Sequence, residues 1–462
     1  MQVKQTFNKI KNISRIQKFC FSNQLDHYDV IISGAGPVGT ALAGALQCEQ
    51  FFQNKSENGN NKVLLIDLKE PLPLENVLAK KTPDHRVVSL SQSSINLLDS
   101  IGAWQHIDMD RVGIVNKMQV WENQGQGYLQ FEDSDFINPL NYIVENNQIV
   151  GAMMKEIKQN ECVDFMFGNS IANFKRNPEL GNKIEVEFNN GKKITTDLIV
   201  GSEGRGSNVK KISKLETYGW SYNQMGIVCS IRINRLEENN QAYQRYLGSG
   251  PLAILPLWKD FCSIVWTCSK EDYDYLINLD EIQFLNELNQ ALNSSSKMKT
   301  PTLDLDKELF NYPPMITEIC NKRLAFPIMQ LQAQNYIADG VALAGDAAHS
   351  ISPQAGQGLN NGFNDVIGLA NNIIQNVRSG VNIGQEISLK QYETDAKSWN
   401  YYTAMQMEVL NGLYLNKQQQ FSWVRNLGAN LINNISPLKN TFIKSAETNP
   451  FAQTKYLWEQ PL

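Results

Sequence analysis

Histidine is scarce in this chain. There are four in 462 residues, none at a spacing that lets imidazoles share a metal ion. The seven cysteines, Cys20, Cys48, Cys162, Cys229, Cys262, Cys268 and Cys320, are odd in number and form no Cys-x-x-Cys pair. That argues against a disulfide frame and a thiolate metal site. Several fall in strand-like apolar runs, as buried thiols of a reducing compartment do. No run of about 18 apolar residues occurs, so no helix is expected to cross a membrane. Charge of either sign is thin, with 42 Lys and Arg against 47 Asp and Glu for a net −5, and no basic run suggests nucleic acid. No internal repeat is evident. Asn and Gln are abundant, but apolar periodicity runs through them, so they read as loops and helix faces. What remains is a chain with the length for two or three domains, carrying two glycine-rich motifs.

The first motif follows Tyr28-Asp-Val-Ile-Ile32, a β-branched run that reads as a buried strand of a parallel sheet. Gly34, Gly36 and Gly39 come next, and Thr40–Gln47 reads as helix. In a strand–turn–helix of this kind, Gly34 permits the tight turn, Gly36 admits a pyrophosphate to the backbone, and Gly39 lets helix and strand pack closely. The helix N-terminus then offers free N–H groups and a partial positive charge to the anion. The next strand, Val63-Leu-Leu-Ile-Asp67, ends in an acid placed to accept from a ribose hydroxyl. Asp67 lies 28 residues after Gly39, beyond the usual ~20, and the polar stretch Asn54–Asn61 accounts for the excess as an inserted loop.

The second motif lies about three hundred residues further on. Val341-Ala-Leu-Ala344 reads as another buried strand, closed by Gly345-Asp346. Pro353 and Gln-Ala-Gly-Gln-Gly-Leu-Asn360 follow, with Gly356–Leu369 starting a helix. Asp346 is a candidate acceptor for a ribityl hydroxyl. Gly356 and Gly358 clear side chains from where an isoalloxazine ring would lie, Leu359 sits beside them, and Asn360 and Asn361 offer amides to ring edges. N–H groups at this helix start suit negative charge on a reduced ring. A chain that returns to one cofactor in this way fits bound FAD better than a loosely held nicotinamide.

The combined pattern resembles the para-hydroxybenzoate-hydroxylase-like flavoprotein monooxygenases, and within them the ubiquinone-biosynthesis hydroxylases. Asp84-His-Arg86-Val-Val-Ser-Leu-Ser91, Tyr142-Ile-Val-Glu-Asn146 and Asp197-Leu-Ile-Val-Gly-Ser-Glu203-Gly204 are similar to segments of that branch. Gly219-Trp-Ser-Tyr222, Gln244-Arg245-Tyr-Leu-Gly-Ser-Gly250-Pro251 and Ser263-Ile-Val-Trp266 are similar to the mitochondrial members that hydroxylate ring position 5. The resemblance covers about residues 27 to 445. It implies an FAD-dependent aromatic-ring hydroxylase acting on a polyprenylated phenol with O2, through a flavin hydroperoxide. Electrons would come from a ferredoxin or NAD(P)H. The resemblance also implies a place in a quinone-biosynthesis complex and peripheral contact with the matrix face of the mitochondrial inner membrane. No single catalytic side chain is expected. Arg86 is a candidate for the pyrophosphate or the ring, and Tyr222 and Trp266 for the substrate wall. The chain departs from the family at Glu203, where Asp is usual, and at Ser352, where the quinone branch usually has His. Two alternatives stay open from sequence: an NADPH-dependent hydroxylase of a small soluble phenol, and a non-catalytic scaffold subunit.

Residues 1–25 hold Lys4, Lys9, Lys11, Arg15 and Lys18 and no acid, and resemble a mitochondrial presequence. The expected architecture is α/β: a Rossmann-like FAD-binding domain in three pieces (27–110, 145–215 and 320–390), an antiparallel-sheet substrate domain (111–144 and 216–319) inserted between them, and a helical C-terminal region (391–462). Trp399, Tyr402, Met405, Val409, Leu413 and Leu415, then Phe421 to Ile435, supply apolar stripes for core packing or for a bilayer face.

Overall fold

The computed structural model describes residues 25–56, 59–122, 128–132, 139–234, 239–293, 311–353, 356–414 and 456–460. Nearly all of the presequence candidate and the stripe from Phe421 to Ile435 lie outside them.

In the strand His27–Ser33, Val30, Ile31 and Ile32 are all wholly buried. Consecutive apolar residues on both faces demand cover on both sides, and the strand is accordingly central in a parallel sheet. The parallel order is Val341–Leu343, Lys193–Gly201, His27–Ser33, Val63–Asp67, Val163–Phe167. The chain builds outward from His27–Ser33 on one side, then returns to build on the other. The order therefore reverses at this strand, and ligands bind at the carboxyl ends flanking such a reversal. The fingerprint helix spans Pro37–Gln47, beginning three residues before the expected start, with proline at its first turn, where a missing N–H costs nothing.

Among the described residues a second, nine-stranded sheet forms around the long strand Thr217–Asn234. Its two faces differ. Ile227, Cys229, Ile231, Ile264 and Trp266 are buried with Phe284, Leu288 and Leu292 of the helix Glu281–Asn293. On the other face Val228, Ala253, Leu255 and Val265 are half-buried, among the buried Ser230, Ser263 and Thr267. On this second face Ser230 donates to the Asp84 carbonyl at 2.9 Å, which ties it toward the parallel-sheet side. Leu324–Ala333, expected inside the flavin domain, pairs instead with Thr217–Asn234 and belongs to the antiparallel sheet. The chain rejoins the parallel sheet at Ile337.

The helix Gln357–Arg378 packs on the fingerprint helix, and Glu386–Tyr414 packs on Gln357–Arg378. The expected apolar stripe on this last helix divides: Trp399 is buried, while Met405 and Val409 stand 67% and 52% exposed. No helix among the described residues is long and apolar enough to cross a membrane.

Candidate functional site

Three loops meet at the carboxyl ends of the central strands. Gly34 has φ +107°, and a Cβ there would lie 2.6 Å from the Ser202 carbonyl oxygen. Ser202 Oγ donates to the carbonyls of Ser33 at 2.8 Å and Gly34 at 3.1 Å. A Cβ on Gly39 would sit 1.9 Å from the Gly34 oxygen. The distant second motif touches the first through Val38, whose Cγ2 lies 2.8 Å from a Cβ built on Gly345 and 2.7 Å from one built on Gly362. Gly356, at φ +62°, fits against Ser89. A Cβ on Gly36 or Gly358, by contrast, meets nothing within 4 Å, as is also true of Gly204 and Gly206 in the loop after Ser202. Both helices start from glycines, Gly36 and Gly356, with no side-chain cap. First-turn N–H groups with no side-chain acceptor thus flank the room at Gly36 and at Gly358, as an anionic cofactor with a flat ring requires. The residues present fit FAD.

The side chains named from sequence divide between this cradle and its scaffolding. Asp67 accepts from the backbone of Ala35 at 2.7 Å and of Lys69 at 2.9 Å, so it fixes the glycine loop while ending the strand beside it. Asp346 is exposed between buried Gly345 and Ala347, with Arg205 Nε 3.8 Å away. Arg86 is exposed next to the strand Val87–Leu90, which borders Gly356. Pro353 and Leu359 are half-buried at the loop and the helix start.

Asn360 and Asn361 do not offer amides to a ring. Asn360 is 4% exposed; its Oδ1 accepts from Ser91 N at 3.1 Å and Ser94 Oγ at 2.6 Å, and its Nδ2 donates to the Ser89 carbonyl at 2.9 Å. Asn361 is bound to Thr403 and Trp399. At a helix start that grips neighbouring elements, the side chains are used inward, and the first-turn backbone N–H groups have no side-chain cap. Trp266 likewise faces away from the half-open sheet surface, its ring 6.0 Å from Phe284; strand alternation puts Val265 and Thr267 on the other side. The Tyr222 hydroxyl donates to Glu408 of the last helix, making it a strut between sheet and helix. Burial, then the Glu408 carboxylate, pushes its pKa up.

Glu203 turns inward too. It accepts from Ser33 Oγ at 2.9 Å and from the Ser207 hydroxyl, so its extra methylene is taken up within the loop. Ser352 is 1% exposed, and its hydroxyl has no partner among the described protein atoms.

Sequence reasoning missed Val38, Ser202 and Gly362, which bring the loops together, and a buried polar group behind them. His349 Nε2 lies 2.6 Å from Asp365 Oδ2, which also accepts the Gly345 N–H at 2.8 Å. Two signals were present. Gly358 and Gly362 stand four apart on one helix face, and Asp365 is the single acid in Gln357–Arg378. The six described cysteines are free; burial raises those at 48, 229 and 268 to about 12.

The FAD binding domain family matches residues 27–401. A Xenopus tropicalis protein, "Ubiquinone biosynthesis monooxygenase COQ6, mitochondrial", is 32% identical over 443 residues, spanning 91% of this chain and 93% of its own. The Homo sapiens protein of that name is 31% identical over 441 residues, 91% of this chain and 92% of its own. Among solved structures, p-nitrophenol 4-monooxygenase PnpA from Pseudomonas putida DLL-E4 superposes with a TM-score of 0.68 at 14% identity, covering 92% of this chain and 98% of that one. PqsL from Pseudomonas aeruginosa, described as a probable FAD-dependent monooxygenase, gives 0.67 at 18% identity, over 87% and 99%. At these identities the two structures speak for the fold alone.

Proposed function

The chain belongs to the FAD-binding monooxygenases of ubiquinone biosynthesis, and on that premise we propose that it hydroxylates the ring of a polyprenylated phenol at the matrix face of the mitochondrial inner membrane. It is an FAD-dependent monooxygenase, whose reactants are an organic substrate, O2 and a reductant. The bound flavin supplies the chemistry: it carries two electrons from the reductant to O2, so that one oxygen atom enters the ring and the other leaves as water.

The protein's part is binding and exclusion. Gly36 and the uncapped start of Pro37–Gln47 take the pyrophosphate, and Asp67 takes the ribose. Asp346 takes the ribityl chain, and the backbone at Gly358–Asn360 takes the ring edge. Arg86 adds positive charge beside them. The half-open sheet face at Val228, Ala253, Leu255 and Val265 receives the substrate ring on an apolar surface that keeps water out. The observation that carries the reading is the contact of Val38 with Gly345 and Gly362 beside the room left at Gly36 and Gly358.

Electrons reach the flavin from a ferredoxin or NAD(P)H, within a quinone-biosynthesis complex. Peripheral membrane contact is supported by exposed Tyr218, Trp220, Tyr401, Met405 and Val409 at the junction of sheet and last helix, residue types that suit a bilayer interface. Metabolite profiling after loss of the gene tests the proposal. Accumulation of an unhydroxylated prenylated phenol is expected; unchanged quinone levels would overturn it.

A further inference from the structure

A lone carboxylate on the buried side of a helix is costly unless donors surround it. Asp365 is 1% exposed in the middle of Gln357–Arg378, and it is surrounded. Oδ2 takes the Gly345 N–H at 2.8 Å and faces His349 Nε2 at 2.6 Å. Oδ1 takes the Asn400 amide at 3.1 Å, from the last helix. Asn400 also reaches the Tyr336 hydroxyl at 3.4 Å, and the Tyr336 ring stacks on His349 at 5.9 Å. The group thus joins the end of the strand Val341–Leu343, the short strand His349–Ser350 and both long helices. At its centre is Gly345, left-handed at φ +61°. Its N–H points at Asp365, and the next residue is Asp346.

We propose that the His349–Asp365 pair is a positioning device of the cofactor cradle: by pressing the Asp365 carboxylate onto the Gly345 N–H it sets the direction in which Asp346 leaves the strand. An apolar pair would fill the space as well, but it would leave the turn without an acceptor. The proposal rests on the cofactor reading and not on the identity of the substrate.

The charges around the imidazole fix how the device responds to pH. Asp365 faces it from the helix, Asp346 from its own loop, and Tyr336 from across the stack; Tyr392 approaches Asp365 from the last helix. Burial holds both phenols protonated. For His349, burial works against the charged form, but Asp365 outweighs it and the pKa is raised. A raised histidine contributes fully below its ordinary value of about 6.5 and loses that contribution as pH rises through the raised value. The uncharged imidazole presses the Asp365 carboxylate less firmly onto the Gly345 N–H, so on this proposal flavin is held less firmly on the alkaline side.

The test is flavin release from purified full-length holoprotein on dilution, followed by recovery of free-flavin fluorescence between about pH 6 and pH 9. Melting is recorded in parallel, so that loss of flavin is separated from unfolding. Asp365→Ala should raise the FAD dissociation constant about tenfold or more, the scale of one lost charge-assisted hydrogen bond. His349→Gln keeps an N–H donor for Asp365 but cannot titrate. It should hold flavin and lose the alkaline slope. Wild-type retention in Asp365→Ala, or an unaltered pH slope in His349→Gln, would overturn the proposal. Should Asp365→Ala fail to fold, the His349→Gln slope decides alone. None of these outcomes bears on hydroxylation, which the metabolite test judges separately.

Discussion

Two glycines three residues apart do opposite things. At Gly39 a side chain would meet the Gly34 oxygen at 1.9 Å, whereas at Gly36 it would meet open space, and Gly36 has φ −75° and extended ψ, a conformation any residue adopts. The physical need at Gly39 is packing; at Gly36 it is room for something that is not protein. Gly39→Ala should therefore destabilise the fold by about 1–3 kcal/mol, as overpacking does. Gly36→Ala should leave the melting temperature of flavin-stripped protein unchanged and lower the flavin-to-protein absorbance ratio of the purified enzyme several-fold. A Gly36→Ala enzyme with full flavin would mean that the room serves something else. These roles were legible in the sequence because both positions need a residue without a Cβ, and only glycine supplies one. The fate of the Asn360 amide was not legible. Its partners, Ser89, Ser91 and Ser94, are about 270 residues away in the chain, and local pattern carries no information at that range.

An antiparallel strand shows two faces to two different environments, and the sequence alone does not say which environment is which. An antiparallel sheet in this part of the chain was legible; which face of Ser263-Ile-Val-Trp266 turns toward the cofactor was not, because both faces carry apolar residues. Trp266 went to the face under Glu281–Asn293, as did Arg245. Arg245 lies in a segment that resembles the quinone branch, which would invite a role in substrate binding. It is 2% exposed, and its guanidinium donates to the carbonyls of Ala291 and Leu292 at 2.8 and 2.9 Å. It therefore closes the C-terminal end of a helix, where free carbonyls and the helix dipole favour a cation. Arg245→Met keeps most of the volume and removes the donors. The expected cost is about 2–4 kcal/mol, seen as a lower urea midpoint, while the folded fraction keeps its flavin. Loss of flavin without loss of stability would instead put Arg245 at the site.

The molecule closes on itself far from its chemistry. The parallel sheet and the return of the chain at Val341 could be anticipated from two motifs. The grip of the distant C-terminal residues Tyr456–Gln460 on the flavin-binding part could not, since nothing in a short polar and aromatic segment names its docking place. Arg378, in the last turn of the second-motif helix, is the anchor. Its Nη2 donates to Glu49 at 2.7 Å and to the carbonyls of Leu457 and Gln460 at 3.0 and 2.9 Å. The Leu457 N–H reaches Asn371 at 2.9 Å, and Trp458 is 7% exposed beside Tyr456. The clasp therefore ties together the end of the fingerprint helix region, the second-motif helix and the chain's last described residues. Ending the chain after residue 455 removes a buried tryptophan and strips Arg378 of two acceptors, a loss of about 3–5 kcal/mol. Trp458→Ala should reproduce most of it. Because Arg378, and Glu49 two residues past the end of Pro37–Gln47, lie at the far ends of these helices from Gly36 and Gly358, the shortened chain should unfold at lower denaturant yet bind flavin with unchanged affinity while folded. A truncated protein with the full-length midpoint would show that the clasp contributes nothing to stability. One that stays folded but cannot hold flavin would show that the helix pair transmits the loss to the cradle.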